Sequence, residues 1–106
     1  MSETQFLRTV EATLAEVQTA IEAAHIEADC SQVALVLTIE LDDGAKIIVN
    51  AQAPMQQLWL ASRGGARHFT HDGQQWKDTR NGEEFFAALS EAVSAALGEP
   101  VELRAR

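Results

Sequence analysis

Leu7, Val10, Leu14, Val17, Ile21 and Ala24 recur at alternating steps of three and four, the repeat that places side chains on one helical face. The spacing predicts a helix over residues 3–24, with Ser2 or Thr4 as its N-cap. The period then changes to two. Val33, Leu35, Leu37, Ile39 and Leu41 alternate with Ala34, Val36, Thr38 and Glu40, which predicts one strand over residues 33–41 with a fully apolar face. Asp42-Asp43-Gly44 supplies turn chemistry, and residues 46–50 read as the returning strand of a hairpin. Pro54 ends that strand, because a central strand cannot spare the N–H. Residues 57–62 predict a third strand, with Leu58 and Leu60 on one face and Gln57, Trp59 and Ala61 on the other. Gly64-Gly65 is a turn, and residues 67–70 and 75–78 read as a further hairpin across Asp72-Gly73. Helical spacing returns over residues 83–97, with Phe85, Phe86, Leu89, Val93, Ala96 and Leu97 apolar; Gly98 and Pro100 stop it. Residues 101–103 are expected as a short extended tail against the helices.

The order is helix, four or five antiparallel strands with short turns, then helix. Each helix carries one apolar stripe and the sheet one apolar face. The economical packing is an α+β fold, a two-layer α/β sandwich with both helices on one face of an antiparallel sheet, as a single domain over residues 1–106. The other sheet face is then open to solvent and carries Trp59.

Composition narrows the function. No stretch approaches the roughly 18 apolar residues of a membrane span, and the N-terminus lacks the basic and apolar regions of a secretory signal. A lone cysteine, Cys30, suits a reducing compartment, so the cytoplasm is the expected location. Net charge is -8, which argues against nucleic acid as a partner, since phosphates require cations, and against an anionic membrane surface. The charge is also uneven. Residues 1–43 hold nine acids and one base, Arg8, whereas residues 44–106 hold seven of each. The entire excess therefore sits on the first helix, the first predicted strand and the turn after it.

No nucleotide-binding loop, zinc-protease helix or serine-hydrolase elbow is present. His68 and His71, three apart in a strand, point to opposite faces, and Cys30 beside Asp29 is in an electronegative setting that suppresses the thiolate. No enzyme emerges. Three uses of the acidic stretch stay open: a solubilising surface, a weak and water-rich site for a hard cation, and a docking surface for a basic partner. Glu11 and Glu22 stand three helical turns apart and nearly in line, and Glu27 and Asp29 share a face at the strand entry. Trp59, among Asn50, Gln52 and Gln57, is either covered by loops or chain ends or part of a binding surface.

One string is more specific. Asn50-Ala51-Gln52-Ala53-Pro54-Met55-Gln56-Gln57-Leu58-Trp59-Leu60-Ala61, followed by Gly64-Gly65, resembles the signature strand region of frataxins. Residues 41–49 and 76–86 resemble the bacterial branch, and the similarity runs from about Phe6 to Leu103. The resemblance implies a small, non-enzymatic iron-binding protein of iron–sulfur cluster assembly. It would dock on the cysteine desulfurase and its scaffold protein, regulating the pathway or supplying iron. It implies a metal-binding ridge at Glu3, Glu11, Glu22, Glu27 and Asp29, with iron held weakly at the surface, and a partner-binding sheet surface at Asn50, Gln52, Gln57 and Trp59. A monomer is expected, with iron-dependent oligomers and iron storage as an alternative. An acidic interaction module with incidental metal is the other.

Overall fold

The computed structural model describes residues 1–105. Its elements run α1 (Glu3–Ala23), β1 (Ala28–Val33), β2 (Val36–Leu41), β3 (Lys46–Gln52), a single 3₁₀ turn (Ala53–Met55), β4 (Gln57–Ser62), β5 (Gly65–His71), β6 (Trp76–Asp78) and α2 (Phe85–Leu97). The strands pair antiparallel in chain order, a six-stranded meander with β1 and β6 at its edges. Both helices cover one face, giving the α+β two-layer sandwich expected. Phe6, Val10, Leu14, Val17 and Ile21 of α1 and Phe85, Leu89 and Val93 of α2 are buried with Leu37, Ile39, Ile47, Val49, Leu58, Leu60 and Phe69 of the sheet.

Helix α1 begins in a capping box: the Ser2 hydroxyl accepts the Gln5 N–H at 3.1 Å and Gln5 Oε1 accepts the Ser2 N–H at 2.9 Å. It ends in a Schellman arrangement. The His25 N–H reaches the Glu22 carbonyl at 3.0 Å and the Ile26 N–H the Ile21 carbonyl at 3.3 Å, with His25 itself left-handed at φ 56°. Helix α2 starts on Glu84, whose carboxylate accepts the Phe86 and Ala87 N–H groups, and stops at left-handed Gly98. Thr13, one of two buried polar residues among those described, accepts the Trp76 indole N–H at 2.9 Å and donates to the Thr9 carbonyl at 2.8 Å. That bond ties α1 to the far edge of the sheet.

The single strand expected over residues 33–41 is instead a hairpin. Residues 28–33 form β1, which the sequence pattern missed, and Ala34-Leu35 is the loop between Val33 and Val36. The inward positions of this edge strand, Ala28, Cys30 and Gln32, are small or polar, so no apolar alternation announces it. The turn lacks glycine and asparagine, yet Ala34 takes φ 52°, the positive φ that two-residue hairpin loops favour. As a result Val33 is 76% exposed rather than buried, and only Leu37, Ile39 and Leu41 of the expected apolar face enter the core. Smaller differences are extensions, β3 to Gln52 and β5 to Gly65–His71.

The tail over residues 101–103 lies on α2, as anticipated. Ser94 Oγ accepts the Val101 N–H at 2.9 Å and Ser90 Oγ accepts the Leu103 N–H at 2.8 Å. Two residues of extended chain advance about 6.6 Å, close to one helical turn of about 5.4 Å, so serines four apart meet alternate amides. Leu103 is thereby buried.

Candidate functional site: an acidic edge and an open sheet face

Glu3, Glu11 and Glu22 are exposed on α1, Glu27 is exposed in the connection, and Asp29 is exposed on β1. The ion pairs among the described residues join Arg67 to Asp78, Glu83 and Glu91, Lys77 to Asp72, and Arg104 to Glu102. Every one lies in the electrically balanced part of the chain. No acid of residues 1–43 forms an ion pair among the described residues, although Glu40 faces Lys46 across β2 and β3. The five ridge acids do not form one site, because Glu3 and Glu22 are separated by about 28 Å of helix. What the fold adds is Glu22, brought near enough to Cys30 for its field to act on the thiol alongside that of the adjacent Asp29. Burial raises the Cys30 thiol pKa first, and the fields of Glu22 and Asp29 raise it further.

Two features make this edge locally unfavourable. Glu22 stands in the last turn of α1, where no base is present, so its charge opposes the helix dipole. Asp29 lies directly across from Glu40 in the β1–β2 register, a like-charge pair that costs stability. Glu40 is thus a further member of the edge. Sequence reasoning missed it because its partner strand was not recognised. No group of three His, Cys, Asp or Glu able to hold a metal assembles among the described residues. The donors are hard carboxylate oxygens, open to water and without a cage.

On the open face the register aligns one row, Val33, Val36, Asn50, Trp59 and His68, with Gln52, Gln57 and Thr70 in the next. Asn50, Gln52, Gln57 and Trp59 therefore share one surface. The Trp59 indole N–H donates to Gln57 Oε1 at 2.9 Å, and His68 stacks on the ring at 4.2 Å and 15°. Trp59 is half-buried, with its ring covered in part by His68 and its polar edge satisfied by a neighbour on its own strand. Val33 and Val36, the latter 40% exposed, extend the row with apolar surface. His71 points to the opposite face and packs edge-on against Trp76.

A third cluster is structural. Arg67 donates to Asp78 at 2.8 Å, to Glu83, and to Glu91 at 3.3 Å. Burial raises the pKa of Asp78, but the Arg80 N–H, the Arg67 guanidinium and the Asn81 N–H outweigh it, and the net direction is downward. These pairings span 11 to 24 residues, beyond any local signal.

This geometry has counterparts. A family model, the frataxin-like domain, matches residues 1–99. The chain belongs to the frataxin-like family. Among relatives of this frataxin-like chain, the "Iron-sulfur cluster assembly protein CyaY" of Paraburkholderia phymatum is 44% identical over 97% of this chain and 98% of that one. The protein of the same name from Janthinobacterium sp. (strain Marseille) is 47% identical over 98% and 97%. Among solved structures, the frataxin from Psychromonas ingrahamii superposes with a TM-score of 0.89 at 29% identity, covering 96% of this chain and 97% of that one. The trimeric frataxin from the yeast Saccharomyces cerevisiae, complexed with ferrous iron, gives 0.68 at 26% identity over 93% and 88%. The frataxin-like family is non-enzymatic. No helix among the described residues of this frataxin-like chain is long and apolar enough to cross a membrane.

Proposed function

We propose that this protein is a cytoplasmic iron-binding protein of iron–sulfur cluster assembly that docks on the cysteine desulfurase and its scaffold protein. The observation that carries the proposal is the unneutralised edge: all nine acids of residues 1–43 lack an ion-pair partner among the described residues, and two of them, Glu22 and Asp29, hold positions that cost stability. Iron is the cargo. Carboxylates of Glu22, Glu27 and Asp29, with Glu3 and Glu11 further along α1, would hold ferrous ions loosely, largely through water, since three donors do not converge. The same charge steers the edge onto a basic patch of the desulfurase. Asn50, Gln52, Gln57 and Trp59 would supply a second contact, with the tryptophan as its anchor. Weak, exposed binding suits a protein that must both take and release iron.

The test is an anaerobic ferrous titration followed by amide NMR, with Mg²⁺ as control and desulfurase binding measured alongside. Selective broadening between Glu11 and Asp29, lost together with docking in the Glu22→Lys, Asp29→Lys variant, is expected. Unchanged titrations in that variant would sink the proposal. The lack of an assembled three-donor site favours one second reading, a docking module with incidental metal. In that case Mg²⁺ reproduces the ferrous effect at equal concentration while docking persists without either ion.

A further inference from the structure

At the end of the sheet where β3 begins and β4 turns into β5, a groove of about 510 Å³ runs between α2 and the strands. It shares no residue with the acidic edge or with the Trp59 surface. Its existence follows from side-chain size. Helix α2 presents Ala88, Ala92 and Ala96 at successive turns over Ile47 and Leu60, and side chains this short leave a trough with an apolar floor.

The rim is cationic. Lys46, Arg63, Arg67 and Arg80 line the groove, half of the eight Lys and Arg residues in a chain of net charge -8. Arg67 is neutralised by Asp78, Glu83 and Glu91. Among the described residues Glu91 is the only acid in the lining, and it is engaged by Arg67. Lys46, Arg63 and Arg80 form no ion pair among the described residues. Arg63 and Arg80 have no cross-strand acid, whereas Lys46 stands opposite Glu40 in the β2–β3 register; all three lie beside an apolar trough in a protein with twice as many acids as bases. The volume lies within the range of about 300–1,000 Å³ typical of small-molecule sites.

We propose that this groove binds a small amphipathic carboxylate, its hydrocarbon body on the alanine floor and its anionic head among Lys46, Arg63 and Arg80. The concave shape and single-ligand volume favour a small molecule over a peptide. The site is independent of the iron proposal, so either can fail alone.

Octanoate is the probe, followed by ¹H–¹⁵N NMR, with octanol and inorganic phosphate as half-ligands. Saturable shifts confined to the groove are expected, with octanol and phosphate each weaker by roughly tenfold or more, since loss of either half removes at least one contact class. The Lys46→Gln, Arg63→Gln, Arg80→Gln variant should weaken octanoate by roughly tenfold. All three side chains are exposed, so its fold, read from unchanged shifts elsewhere, should persist. Ala92→Leu, which fills the trough, should block the site with the rim intact. Shifts that fail to saturate or that map elsewhere overturn the proposal. So does equal binding by the triple variant, or occupation by an acidic peptide that octanoate cannot displace.

Discussion

His25 and Ala34 hold left-handed backbone at φ 56° and φ 52°, where a Cβ crowds the following carbonyl at about 1–2 kcal/mol. Glycine relieves that crowding but loses more freedom on folding, about 0.4–1 kcal/mol. His25→Gly and Ala34→Gly should therefore each stabilise the fold by about 0.5–1 kcal/mol, read as a higher urea midpoint at unchanged slope. Arg67 works in the opposite direction. Asp78 is only 7% exposed, and removing the guanidinium strands a buried carboxylate. Arg67→Met should cost about 2–3 kcal/mol. The pH dependence has a definite sign. Because the Asp78 pKa is lowered on folding despite burial, its contribution is fully present above the ordinary carboxylate range and is lost as pH falls through its depressed folded value. In Arg67→Met the Asp78 pKa loses much of its depression, so this acid-dependent loss should shrink, visible as a shallower fall of melting temperature with falling pH.

At the scale of elements, the tail over residues 101–103 is the least self-sufficient piece. Its amides are satisfied by two side-chain hydroxyls, Ser90 and Ser94, and it covers the groove between the helices with Leu103. The double variant Ser90→Ala, Ser94→Ala leaves the Val101 and Leu103 N–H groups without partners. A loss of about 1–2 kcal/mol is expected, with faster hydrogen exchange at those two amides. Exchange that accelerates across α2 as well would mean that the tail and helix open as one unit. Edge strand β1 shows the other limit of local information. Its polar inward positions depend on β2 and α1 for their place, including the 3.0 Å bond between the Gln18 and Gln32 side chains.

Over the whole molecule, charge opposes compactness. The -8 excess is concentrated on α1, β1, β2 and the following turn, and no ion pair among the described residues offsets it there. Salt screens such repulsion within a Debye length of about 8 Å at physiological strength. Raising NaCl at neutral pH should therefore increase the melting temperature while weakening docking to a basic partner. Opposite responses to one variable would separate folding from function. If salt lowers both, the ion pairs around Arg67 outweigh the repulsion at the acidic edge.

Much was legible in the chain itself. Both helices, five of the six strands, the sandwich and the outward Trp59 follow from period and turn chemistry, because those signals depend on neighbours within a few residues. The charge asymmetry needs only counting. Tertiary structure alone decided the rest. It made β1 a strand, set Glu40 against Asp29, brought Glu22 to Cys30, stacked His68 on Trp59 and gathered three carboxylates on Arg67. Those outcomes depend on register and on contacts distant along the chain, where packing satisfies polar groups that no local pattern reveals.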